Sequence, residues 1–88
     1  MLTVWKYEIK VEDHIEIRLP EDYKILSVQV QRNKICLWVL VNPNNKTILC
    51  KFRLAGTGHP IDDDIDYFIG TFQLYDGDII FHLFKLKD

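Results

Sequence analysis

No apolar run in this 88-residue chain approaches the ~20 positions a bilayer-spanning helix needs, so membrane insertion is not expected. Cysteine is scarce: Cys36 and Cys50 allow at most one intrachain bridge. Both stand in apolar, strand-like runs without Cys-x-x-Cys spacing and without a leader ahead of them, which reads as two reduced core thiols of a cytosolic protein. Charge of one sign is missing as well. Eleven Lys and Arg against 13 Asp and Glu leave a net charge of −2, with the cations scattered. The field that gathers duplex nucleic acid is therefore absent, and no sustained run of carboxylates imitates a phosphate backbone. A sustained 3.6-residue period with caps is also lacking, and Glu21 to Lys24 offers one helical turn at most. The length allows one domain, residues 1–88. A chain this short hides only about 60% of its unfolded surface, so homo-oligomerisation is the natural supplement to its core.

What is present is alternation. Thr3 to Glu12 sets Trp5, Tyr7, Ile9 and Val11 against Lys6, Glu8, Lys10 and Glu12, the period of a half-buried strand. His14 to Leu19 repeats it with Ile15, Ile17 and Leu19 inward, up to Pro20, which has no N–H for a ladder. Lys24 to Gln31 follows with Leu26, Val28 and Val30 inward, and three such strands in a row predict an antiparallel meander. Arg32-Asn33 suits a tight hairpin into Lys34 to Val41, which is apolar on both faces and so is the candidate central strand. Asn42 to Asn45 turns the chain into Thr47 to Ala55; Asp66 to Tyr75 and Asp78 to Leu86 then flank an Asp76-Gly77 hairpin signal. The pattern predicts an all-β fold of about seven mostly antiparallel strands, in a small sandwich or partly open barrel.

One stretch stands apart, Ala55 to Asp66, reading AGTGHPIDDDID. Gly56 and Gly58 permit backbone angles that bring N–H groups together as an anion nest, beside the Thr57 hydroxyl, the His59 ring and nearby Lys51 or Arg53. The same glycines equally serve to turn the chain out of a strand, and no helix follows to add its dipole. Asp62, Asp63, Asp64 and Asp66 lack the glycine and terminal glutamate of a calcium loop, and His14, His59 and His82 are too scattered for zinc. Neither a metal nor another cofactor is expected. His82 reads as an edge-of-core histidine with one hydrogen bond. Ser27 has no histidine or orienting partner in sequence, so no catalytic residue is assigned. Aromatic residues are plentiful, and Trp5, Tyr7, Trp38, Tyr67 and Phe84 are candidates for an interface.

Five ordered blocks carry a resemblance: KILSVQVQ at Lys24 to Gln31, LWVLVNP at Leu37 to Pro43, GTGHPI at Gly56 to Ile61, IGTFQL at Ile69 to Leu74 and FHLF at Phe81 to Phe84. With them the chain resembles a family of small phage and prophage proteins classed as a domain of unknown function. The resemblance implies a non-enzymatic accessory protein in the cytoplasm of a bacterial host. Its first expected role is a counter-defence or host-takeover module that occludes a host protein. The alternative is a homo-oligomeric sponge for a small anionic nucleotide ligand held by Lys51, Arg53, Gly56, Thr57, Gly58 and His59; Arg53→Ala or His59→Ala would then abolish binding and leave the fold intact. A virion-associated structural role is the third.

Overall fold

Each alternating strand has one face to hide, and two sheets packed face to face hide all of them. A computed structural model describes residues 1–88. Its strands are β1 (Thr3–Ile9), β2 (His14–Pro20), β3 (Lys24–Gln31), β4 (Lys34–Val41), β5 (Thr47–Gly56), β6 (Ile65–Leu74) and β7 (Ile79–Leu86). A three-stranded sheet in the order β1-β4-β3 lies against a four-stranded sheet in the order β2-β5-β7-β6, all pairs antiparallel. The protein is thus an all-β sandwich and not a closed barrel. No helix is long and apolar enough to cross a membrane.

The core is one cluster fed by both sheets: Ile35, Leu37, Val39 and Val41 from β4 meet Cys50, Phe52 and Leu54 from β5 and Leu83 from β7. β4 is central in its sheet, as its two-sided apolarity predicts. Both cysteines are free and buried.

Three expectations are corrected. The first three strands are not a meander: β1 pairs with β4, whereas β2 sits in the other sheet against β5. Alternation specifies which face is buried but not which strand lies alongside, and the short Lys10–Asp13 connection crosses between sheets. Leu26 does not point inward. The register slips between Ile25 and Ser27, and this bulge turns Leu26 out to 47% exposure. Finally, Leu74 pairs with Ile79, so the β6–β7 connection holds four residues rather than the two of an Asp76-Gly77 turn. Tyr75, Asp76 and Gly77 all have positive φ there (52°, 56° and 92°). The Arg32-Asn33 hairpin holds as expected, with φ of 52° and 61°.

The sheets approach most closely where β3 passes β6. Gly70 makes that possible, because a Cβ at this position would lie 2.7 Å from Cγ1 of Val28.

Candidate binding surfaces

The outer face of the four-stranded sheet is covered in part by the chain itself, over β2 and β5, and exposes Leu49, Phe68 and Ile80 elsewhere. Directly opposed residues share a face, so His14, Arg53, Phe84 and Phe68 form one outward row across β2, β5, β7 and β6. Arg53 is only 8% exposed, which it reaches by anchoring the segment that follows β5. Its Nη1 donates to the carbonyls of Leu54 (2.6 Å) and Asp13 (3.2 Å), and its Nη2 to that of Pro60 (3.2 Å). Its Nε lies 3.0 Å from Oδ1 of Asp63, a close ion pair without the alignment of a hydrogen bond. The other oxygen of Asp63 meets Nε2 of His14 at 2.8 Å. The hydrogen bond to His14 is the largest of the causes that hold the Asp63 carboxyl below its usual range; desolvation opposes it, and the charges of His14 and then Arg53 each lower it by less. This arrangement clamps residues 57–64 over β2 and β5.

Residues 56–59 form a β-turn rather than a nest. The amide of His59 donates to the Gly56 carbonyl (3.1 Å) with Gly58 at φ 85°, so the His59 N–H is engaged within the turn. The His59 ring lies against Gly56, where an added Cβ would come within 2.9 Å of it. The hydroxyl of Thr57 reaches Nε2 of His82 (2.7 Å), whose Nδ1 meets the Thr71 hydroxyl (2.8 Å). His82 therefore has two partners rather than one, and in its neutral form one nitrogen donates while the other accepts. An open depression of about 420 Å³ adjoins this turn, lined by Gly56, Thr57, His59 and Ile79 to Phe81 among others.

The six ligand candidates do not converge. Gly56, Thr57, Gly58 and His59 stay together, but Arg53 is engaged beneath the loop. Lys51 is five strand residues from Gly56, about 16 Å at ~3.3 Å per residue, and opposes Glu16. Arg53→Ala is thus not a substitution that leaves the fold untouched.

The interface aromatics are dispersed too. Trp5 and Tyr7 face inward on the edge strand β1, with their rings edge to face at 6.5 Å. Tyr67 faces inward on β6, directly opposite Lys85. Tyr7, Tyr23 and Tyr67 lie near the Cys50 thiol, and burial pushes all three phenols above their usual range. Phe84 packs against exposed Phe68, ring centres 5.5 Å apart and planes tilted by 55°, on the outer face of the four-stranded sheet.

Trp38 alone among the candidates lies on the outer face of the three-stranded sheet. Its row runs Lys6, Trp38, Ser27 across β1, β4 and β3, between Val4, Leu40, Lys24 on one side and Glu8, Cys36, Gln29 on the other. Val4 and Leu26 are 49% and 47% exposed, and Trp38 and Leu40 are half-buried. The Lys6 ammonium sits 5.6 Å from the Trp38 ring centre and donates to Oε1 of Gln31 at 3.1 Å. This bridge passes over Cys36, which explains how a residue on an outward face is only 2% exposed. Lys6, Glu8, Gln31, Arg32, Lys34 and Cys36 surround a depression of about 410 Å³. No loop crosses this face.

Sequence reading missed this grouping because it needs the β1–β4 register, which places Lys6 opposite Trp38. It also missed the buried Lys85, whose amine turns back to the Leu86 carbonyl (2.6 Å); its inward position is readable from alternation with Phe81 and Leu83. No curated protein and no solved structure is matched by the chain. A family model covers residues 1–88, and the chain accordingly belongs to the family described as domain of unknown function DUF7352.

Proposed function

We propose that the chain is a non-enzymatic phage accessory protein that acts in the cytoplasm of a bacterial host by docking onto a host protein and occluding it. Its docking surface is the open face of β1-β4-β3. One observation supports this reading above the others: the two outer faces are treated differently. The chain folds residues 57–64 over part of the four-stranded sheet, whose outer face still exposes Leu49, Phe68 and Ile80, and lays no segment over the three-stranded one, where Val4 and Leu26 are exposed and Trp38 and Leu40 half-buried. A tryptophan amid apolar neighbours with long polar side chains around it has the composition of an interface centre and its rim. A nucleotide sponge at the Gly56–His59 turn is the weaker reading, because the two cations it needs are engaged or distant.

The test is affinity capture from bacterial cells with three proteins: the natural chain, Trp38→Ala and Phe68→Ala, each checked for an unchanged circular dichroism spectrum. The expected result is one host polypeptide near stoichiometry with the natural chain and Phe68→Ala, lost with Trp38→Ala. Equal recovery with Trp38→Ala, or no stoichiometric polypeptide at all, contradicts the proposal.

A further inference from the structure

Charge is unevenly divided over the molecule. The open face carries Lys6, Lys24, Arg32 and Lys34 against the single carboxylate Glu8, a local balance of +3 on a chain whose total is −2, so all other surfaces together carry −5. We propose that the surface this face accepts is an acidic protein surface, whose carboxylates seat in the depression between Lys6, Arg32 and Lys34 while an apolar side chain packs on Trp38 and Leu40. This rests on the docking reading above and names the partner's chemistry.

The local geometry suits carboxylates. Lys6 is held by Gln31 and by the Trp38 ring, so its ammonium is already placed at the rim of the depression. Lys34 reaches Glu8 only at 3.5 Å, with both side chains more than half exposed, a weak pair that an incoming carboxylate replaces at little cost. Arg32 stands at the turn with its fork free for a bidentate contact: no side-chain hydrogen bond or ion pair within the chain engages it. Two other occupants fit less well. A second copy docked by two-fold symmetry sets the patch against itself, positive on positive. Single-stranded nucleic acid needs successive stacking platforms, and this face offers a single tryptophan.

Amide chemical shifts of the labelled full chain report the outcome on titration with a short alternating glutamate–leucine peptide, its glutamine–leucine counterpart and oligothymidylate. The acidic peptide is expected to shift Ser27, Gln29, Gln31, Cys36 and the Trp38 indole. Its affinity is expected to fall at least about tenfold between roughly 0.05 and 0.3 M salt, and again in the Arg32→Glu, Lys34→Glu double variant. Absence of shifts on this face, equal binding of the glutamine peptide, or stronger binding of oligothymidylate there overturns the inference. The two proposals fail separately: a captured host protein lost with Trp38→Ala but retained by the double charge variant leaves the docking face standing and removes its acidic partner.

Discussion

Gly70 is the residue at which the spacing of the sheets is decided. With Val28 Cγ1 only 2.7 Å from where a Cβ would stand, an alanine there must push β3 from β6 or drive Val28 off its rotamer. Overpacking of this kind costs about 1–3 kcal/mol. Gly70→Ala is expected to lower the urea midpoint accordingly, and Val28→Ala in the same chain is expected to recover part of the loss. A strictly additive double variant would show that the close approach is not what Gly70 provides. No role was assigned to Gly70 from the sequence, because the side chain that requires a glycine there lies 42 positions away on the other sheet. Leu26 shows the same limit from the other side. Its place in an alternating run points inward, and only the bulge at Ile25/Ser27 reverses it.

At the scale of elements, strand existence was legible almost throughout, since seven alternating or two-sided runs became seven strands. Pairing was not. β1 and β2 each hide an apolar face whichever sheet they join, so nothing within either run distinguishes a meander from a crossover. The loop after β5 was marked by composition as unusual, but two of its acidic residues turn out to serve the fold: Asp63 holds Arg53 and His14, and the Asp64 carboxylate lies 3.8 Å from the Lys87 ammonium. The clamp has a pH dependence of definite sign. Because the folded state lowers the pKa of Asp63, its contribution is full above the ordinary carboxylate range and is lost as pH falls through the lowered value. Asp63→Asn is therefore expected to lower the urea midpoint at neutral pH and to give a flatter profile below about pH 4 than the natural chain. Parallel profiles for the two proteins would place the clamp elsewhere.

For the molecule as a whole, the proposed function turns on which faces are spent on folding. The inner faces build the core, part of the outer face of the four-stranded sheet takes the loop 57–64, and the outer face of β1-β4-β3, which no segment crosses, keeps a half-buried tryptophan, apolar neighbours and four cations. The candidate site was legible only as separate residues. Trp38 was singled out among aromatics now spread over several surfaces, whereas Lys6, Gln31, Arg32 and Lys34 gained meaning once the hairpin and the β1–β4 register brought them together. Native mass spectrometry of the protein purified gently from bacterial cells tests the central claim most directly, because one spectrum reports both subunits and retained ligands. The account predicts the chain in complex with a host polypeptide and free of small-molecule adducts. A homo-oligomer carrying a nucleotide-sized adduct on each chain would contradict it.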